Sequence, residues 1–204
     1  MNSIGILGNG RHAAEVASYS QHAVVFTAVQ KQYISADMID IESPTAEQAN
    51  IPVVAAVGAP GLRKMLVELW PGNMYATAVS GAAYIDASAA IDEGSQVAPF
   101  AVIMPQVVIG KHCIINVHAS ISHDCRLGDY TTVSPGVHMG GNVVTGAGVF
   151  IGIGATIKDG ISIAEGAVIG AGAVLIHDAT ESNGVYVGNP ARIIKTNKDW
   201  LHVI

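Results

Sequence analysis

Residues 109–160 read IGKHCI INVHAS ISHDCR LGDYTT VSPGVH MGGNVV TGAGVF IGIGAT IKDG, and broken every six residues they fall into one pattern. The hexads open on Ile109, Ile115, Ile121, Leu127, Val133, Met139, Thr145, Ile151 and Ile157, of which only Thr145 is not a large aliphatic. Their fifth positions are Cys113, Ala119, Cys125, Thr131, Val137, Val143, Val149 and Ala155, small or β-branched throughout. The register runs outward to Ile85 on one side and Leu175 on the other. A helix repeats its apolar residues at three and four, and a half-buried strand at two. A period of six returns the same kind of side chain to one interior after a short strand and a turn. Three hexads then close a triangular coil, and coils stack at the ~4.8 Å spacing of paired strands. Each opening residue should pack on its counterpart one coil away, as Ile103 on Ile121 on Met139. Gly110, Gly128, Gly140, Gly146, Gly152 and Gly170 directly follow that position, where a tight corner is expected to need a permissive backbone. No single coil buries its own face, so stability is a sum over stacked neighbours. The sequence thus predicts a parallel β-helix.

Residues 1 to about 80 read differently. Ser3–Leu7 is a short apolar strand, followed by the loop Gly8-Asn9-Gly10-Arg11-His12 and a helix-like Ala13–Ser20. Further strands are expected at Val24–Val29, Ile51–Val57 and Met74–Val79, with a helix over Gly61–Trp70. Strands alternating with helices point to a small parallel α/β unit. The polar stretch 31–50 supports no assignment. Beyond Leu175 the sequence predicts a loop at Glu181–Gly184, a turn at Gly188-Asn189-Pro190, and a helical tail from Ala191. Two domains follow, residues 1–80 and residues 81–204.

The 204 residues carry a net charge of −6, and only 13% of them are charged. A phosphate-backbone binder needs Lys and Arg concentrated on one surface, so nucleic acid is not an expected partner. Half of the chain is hydrophobic, and Tyr130–Ile157 contains no Asp, Glu, Lys or Arg, which raises the question of a membrane span. The Gly, Thr, Ser and Asn content of that run and its period of six argue against a lipid-facing helix, so no insertion is expected. The amino terminus lacks a basic region followed by an apolar run and a cleavage site, which predicts a cytoplasmic protein. Cys113 and Cys125, the only cysteines, both fall at inward positions and read as buried thiols in a reducing compartment.

Two constellations could carry chemistry. The loop Gly8–His12 lies between a strand and a helix amino terminus, where backbone N–H groups and the helix dipole favour an anion. Gly8, Gly10 and Ala13 satisfy the permissive form of a dinucleotide fingerprint, but the acidic residue expected about twenty positions on is absent from Phe26-Thr27-Ala28-Val29. An anion or sugar-nucleotide site and a purely structural turn both remain open. The second constellation is Asn116-Val117-His118-Ala119-Ser120-Ile121-Ser122-His123-Asp124. His123 and Asp124 should occupy adjacent corner positions facing solvent. An imidazole suits general-base work near neutrality, and a neighbouring carboxylate can orient it. His112, His138 and His177 are expected at other corners as surface residues. His118 and His123 also stand five apart, the spacing of the histidine pair in β-helical carbonic anhydrases. The third histidine of such a zinc site would fall near position 82, where the chain reads Gly81-Ala82-Ala83, so no metal is expected.

Taken together, Gly8–His12, Asn116 with His123-Asp124, Val133–Asn142 (VSPGVHMGGN) and Val187–Ala191 (VGNPA) resemble the sialic acid O-acetyltransferases and the nucleotide-linked 4-amino-sugar N-acetyltransferases. Those families join a small Rossmann-like α/β domain to a left-handed parallel β-helix of hexapeptide repeats. The resemblance implies a cytoplasmic homotrimer that takes acetyl-CoA in the groove between neighbouring coils. His123, Asp124 and Asn116 would be catalytic, with His123 as base. Gly141 would supply an oxyanion N–H, and Ile153, Ala171, Gly188, Asn189 and Pro190 would line the coenzyme groove. Gly10, Arg11 and His12 would hold the acceptor, a nucleotide-linked 4-amino-deoxysugar for surface glycan synthesis, with sialic acid or another acidic sugar as the alternative. This sequence departs from the family in Arg11, which replaces a glycine of the loop, and in the missing acidic pair after the second strand. A zinc hydratase and a non-catalytic sugar-binding scaffold are the competing readings.

Overall fold

In the computed structural model, which describes residues 3–35 and 37–201, the hexads form two-residue strands separated by four residues, the middle two of which make a turn. The strands stack in parallel one coil apart and build three faces. Face one runs from Ala78–Val79 through Gln96–Val97, Ile114–Ile115, Thr132–Val133, Phe150–Ile151 and Val168–Ile169, and ends on Gly184–Val187 and Arg192–Thr196. Face two runs from Tyr84–Ile85 to Val174–Leu175, and face three from Ala90–Ile91 to Ser162–Ile163. Ile121 pairs in register with Ile103 below and Met139 above, as the period requires. Opening residues such as Ile103, Ile109, Ile115 and Ile121 are fully buried, and so are fifth-position Cys113, Ala119, Cys125 and Val137. Each such Ile contributes about 2 kcal/mol of burial. Thr145, the exception to the aliphatic rule, is satisfied inside the coil. Its hydroxyl accepts from Gly128 N–H at 3.1 Å and lies 3.2 Å from the Thr131 hydroxyl, which donates to the Gly128 carbonyl at 2.7 Å.

The corners differ from expectation in which residue carries the strain. The left-handed backbone lies three positions after the opening residue, at Phe100, His112, His118, Asp124, Tyr130, Gly136 and Asn142 among others, with φ of 54–66°. The glycines directly after the opening residue do not adopt it. A Cβ at Gly128 would meet the backbone of Gly146 at 2.5 Å, and one at Gly152 the backbone nitrogen of Ala171 at 2.6 Å. Those glycines are small because the next coil lies close against them.

The amino-terminal unit is a four-stranded parallel sheet in the order Met38–Asp40, Ala23–Val29, Ser3–Leu7, Val53–Ala55. Its elements are β1 (Ser3–Leu7), α1 (Arg11–Tyr19), β2 (Ala23–Val29), β3 (Met38–Asp40), α2 (Ala46–Ala49), β4 (Val53–Ala55) and α3 (Pro60–Leu69). The unassigned stretch 31–50 therefore supplies both an edge strand and a short helix. Thr45 starts that helix, its hydroxyl accepting from Gln48 N–H while the Gln48 side chain accepts from Thr45 N–H. Met74–Val79 is not a fourth strand of this sheet. It touches β4 only through a bridge between Tyr75 and Val53, then enters face one at Ala78. The tail is not helical either: Arg192–Thr196 runs antiparallel to Gly184–Val187, because that strand's free edge offers unpaired backbone groups. Among the described residues no helix is long and apolar enough to cross a membrane.

One buried cation ties the two parts together. Arg63 in α3 is completely buried and lies on the stripe Arg63, Leu66, Val67, Trp70. Its guanidinium donates to the carbonyls of Val57, Gly58, His112, Tyr130 and Thr131 and to the Thr132 hydroxyl, six acceptors with no carboxylate among them. Burial lowers its pKa to about 10, so it stays charged at neutral pH. Two of the carbonyls belong to His112 and Tyr130, left-handed corner residues of the coil.

Candidate active site

Each turn of the coil has three corners, and the corners have different neighbours. The corner from face three to face one packs on the amino-terminal unit. His112 is buried there, not on the surface, stacked on Tyr130 and edge-on to Tyr75. Burial, with Arg63 nearby, lowers its pKa to about 4, and its Nδ1 has no hydrogen-bond partner. His138 is not at a corner but points outward from a strand of face two, 2.8 Å from the Ser120 hydroxyl. His177 is exposed.

The corner from face two to face three carries His123 and Asp124. His123 Nδ1 lies 2.8 Å from Asp124 Oδ2, and both side chains are more than half exposed. In the tautomer with a proton on Nδ1 the carboxylate accepts it, leaving Nε2 as the basic nitrogen turned to incoming groups. Asp124 occupies the left-handed corner position at φ 59°, which aspartate tolerates better than most side chains. One coil on, Gly141 lies against the imidazole. A Cβ there would stand 2.6 Å from Cε1 and 2.7 Å from Nε2 of His123. Asn142 N–H donates to the His123 carbonyl at 2.9 Å, which fixes the two corners in register. The Gly141 carbonyl accepts from Gly160, while its own N–H makes no hydrogen bond among the described residues. A base and its orienting carboxylate thus meet at one exposed corner, with the buried Gly141 main chain against the ring.

Other residues expected from the sequence lie elsewhere. Asn116, Ile153 and Ala171 belong to the corner from face one to face two, separated from His123 by the width of face two, and the hairpin turn Gly188–Pro190 packs beside that corner, the Gly188 carbonyl accepting from Val174 N–H at 3.0 Å. Ile153 is 62% exposed there. The Asn116 carboxamide accepts from Val117 N–H at 2.7 Å and lines a cleft of about 220 Å³ between α1 and the coil, with Glu15, Ser18 and Tyr19 opposite. In the Gly8–His12 loop, Gly8, Asn9 and Gly10 border a cavity of about 320 Å³. Arg11 is exposed at the first residue of α1. His12 turns the other way, its ring nitrogens 2.9 Å from Gln96 Oε1 and 3.1 Å from Glu15 Oε2, so it braces α1 on face one. Sequence reasoning missed Arg63, although a lone arginine on the apolar face of a helix was visible in the spacing. It also missed Gln30 and Tyr33, which border the large cavity. Burial pushes the Cys113 thiol up to about 12 and raises that of Cys125, so neither is a nucleophile. Among the described residues no group of three or more His, Cys, Asp or Glu could hold a metal ion.

No protein-family model and no curated protein matches the chain. Solved structures do. A mutant of GDP-perosamine N-acetyltransferase from Caulobacter crescentus, in complex with CoA and GDP-perosamine, is 25% identical and superposes with a TM-score of 0.86, covering 96% of this chain and 98% of that one. The acetyltransferase domain of PglB from Neisseria gonorrhoeae, in complex with acetyl coenzyme A, is 26% identical with a TM-score of 0.81, covering 95% and 99%. WeeI from Acinetobacter baumannii is 26% identical with a TM-score of 0.82, covering 95% and 100%. Nearly the whole of each neighbour is matched by nearly the whole of this chain. Over nearly its whole length the chain is thus similar to CoA-dependent sugar acetyltransferases, and its stacked parallel strands are consistent with their fold.

Proposed function

We propose that this protein is an acetyl-CoA-dependent acetyltransferase that acetylates the amine of a nucleotide-linked 4-amino-deoxysugar. The observation that carries the reading is the exposed His123–Asp124 pair with the Gly141 main chain against its ring. The amine attacks the thioester carbonyl, forming the N–C bond. His123 Nε2 accepts the amine's proton, with Asp124 steadying the imidazolium, and returns it to sulfur as the C–S bond breaks. The unengaged Gly141 N–H offers a donor to the developing oxyanion. The thioester is already activated, so a metal has no part in this scheme. Neighbours in complex with CoA and GDP-perosamine and with acetyl coenzyme A support both substrates.

In this reading the segment 1–80 is a Rossmann-like acceptor domain and 81–204 a coenzyme-binding coil. Gly10 and Arg11 hold the acceptor's phosphates at the amino terminus of α1, while the place of His12 against Gln96 favours a supporting role. The protein acts in the cytoplasm as a homotrimer. Two observations support the assembly: exposed Val144 and Ile153 on the charge-free part of the coil, and the division of the expected site residues between two corners that a neighbouring copy could bring face to face. Asn116, Ile153, Ala171 and Gly188–Pro190 would then serve the His123 of another subunit. The test is a free-thiol assay with acetyl-CoA against nucleotide-linked amino sugars and free sialic acids. Thiol release with an amino sugar supports the reading. Release with free sialic acid alone transfers the claim to O-acetylation.

A further inference from the structure

The corner from face three to face one carries one left-handed residue per coil: Gly94, His112, Tyr130, Gly148 and Gly166. His112 and Tyr130 stack their rings along this column, and the next two coils present glycine. The volume those glycines leave is filled from the far end of the chain. A Cβ at Gly148 would stand 2.6 Å from Cε2 of Trp200, and one at Gly166 would stand 2.7 Å from its Cδ1. The left-handed glycines of the other two corners, Gly136, Gly154, Gly160 and Gly172, would meet nothing within 4 Å. Glycine at 148 and 166 therefore does more than permit a turn: it makes a slot for the Trp200 ring. Three contacts hold the ring there. Its Nε1–H donates to Glu165 Oε1 at 2.9 Å, the Tyr130 ring lies 6.0 Å away, and Lys64 Nζ stands 5.6 Å from its centroid. Lys64 belongs to α3. One turn earlier on that helix, a Cβ at Gly61 would meet the Leu201 backbone at 2.5 Å. At the other end of the segment Asn197 N–H donates to the Asn183 carbonyl at 2.9 Å. Asn197–Leu201 thus runs from the top of the coil across its corner onto α3.

α3 is therefore anchored on the coil at two places. Arg63 binds the turns at His112 and Tyr130–Thr132. Trp200 fills a slot one and two coils farther along, about 5–10 Å away at the spacing of stacked strands. A helix held at one patch can pivot about it, and a second patch set off from the first removes the pivot. What α3 carries gives this a consequence. Leu62 and Leu66 wall the cavity that Gly10 borders, beside the helix end where the proposed function places the acceptor's phosphates. We propose that Asn197–Leu201 is a clasp and Trp200 a positioning residue, which fix the amino-terminal unit on the coil and with it the acceptor relative to acetyl-CoA, a role that rests on the acceptor site of the proposed function. Trp200 touches neither substrate in this scheme and acts through α3.

Hydrogen–deuterium exchange and steady-state kinetics on the full-length protein test the clasp. Trp200→Ala loses a ring contact, a cation–π contact and a hydrogen bond together. Exchange of the α3 amides should quicken about tenfold or more, with the coil from Val97 to Leu175 unchanged. Unchanged exchange in α3 overturns the clasp. In acetyl transfer the same variant should raise KM for the nucleotide-linked amino sugar about tenfold and leave KM for acetyl-CoA within about twofold. An unaltered acceptor KM, or equal rises for both substrates, overturns the positioning role. Trp200→Phe keeps a ring in the slot and should bring both readouts to within about threefold of the parent. A Phe variant as impaired as Ala removes ring filling as the device. Should Trp200→Ala fail to fold, Lys64→Met removes only the cation over the ring and carries the test, with the same two changes at about threefold. No change in that variant then overturns the clasp. If the parent transfers no acetyl group to any amino sugar, the proposed function fails and exchange alone decides: α3 loosened over an unchanged coil upholds the clasp, and α3 unchanged overturns it.

Discussion

Replacing Gly141 with alanine adds one methyl group where the His123 ring now lies. That Cβ would stand 2.6 Å from Cε1 and 2.7 Å from Nε2. Carbon contacts settle at about 3.5 Å or more, so the imidazole must retreat by roughly 0.9 Å. It is free to do so, because the His123 side chain is 59% exposed and holds one hydrogen bond, to Asp124. Gly141 is not among the left-handed residues, so alanine brings no backbone strain of its own. The cost should therefore fall on chemistry and not on folding. Displacing a reacting group by about 1 Å lowers rates on the order of 10²-fold. The assay is steady-state release of CoA thiol beside a thermal melt. We expect kcat for Gly141→Ala to drop about 10²-fold, with a melting temperature within a few degrees of the parent. A kcat within about threefold of the parent would refute the argument that the Gly141 main chain fixes the base.

Three further outcomes can be checked. Asp124→Asn keeps a residue tolerant of the left-handed corner but weakens support of the imidazolium, so kcat should fall about tenfold, less than on loss of the base itself. Arg63→Met strips six acceptors at the junction of α3 and the coil of their donor and should cost about 3–5 kcal/mol in a urea melt, whereas a cost below about 1 kcal/mol would mean those carbonyls find other donors. His112 has a folded pKa of about 4 against 6.5 when free, so the unfolded chain binds the extra proton first. Its contribution is fully present above pH 6.5 and is lost as pH falls toward 4, about 2 kcal/mol between pH 7.5 and pH 5. That slope should flatten in His112→Gln, and a slope unchanged by the substitution would assign the pH dependence to other groups.

The coil was legible because its period belongs to no other regular structure, and the paired rungs Ile103, Ile121 and Met139 follow from it directly. Its corners were legible only in part. Side chains such as Phe100, His112 and Tyr130 occupy left-handed positions that composition alone would give to glycine, because stacking on both sides holds the backbone there. His112 looked like a surface corner, but it is buried, with Tyr75 edge-on to its ring and Tyr130 stacked on it. The amino-terminal unit was harder, since β3 and α2 are three and four residues long and carry no periodic signal. The tail failed for a tertiary reason: Arg192–Thr196 is a strand because an open edge lies beside it. In the candidate site, the His123–Asp124 pair could be read from adjacency in one hexad. Asn116, seven positions earlier, could not be placed, because seven residues carry the chain past one corner onto the next.

The central claim is that His123 removes the proton from an amine attacking acetyl-CoA. The most direct measurement is single-turnover transfer from labelled acetyl-CoA to a nucleotide-linked 4-amino-deoxysugar by the parent and by His123→Ala, with coenzyme binding measured on the same samples. The account requires transfer by the parent, a rate lowered on the order of 10²–10⁴-fold in the variant, and acetyl-CoA affinity within a few-fold of the parent. A His123→Ala protein that binds acetyl-CoA and transfers the acetyl group at a near-normal rate would contradict it.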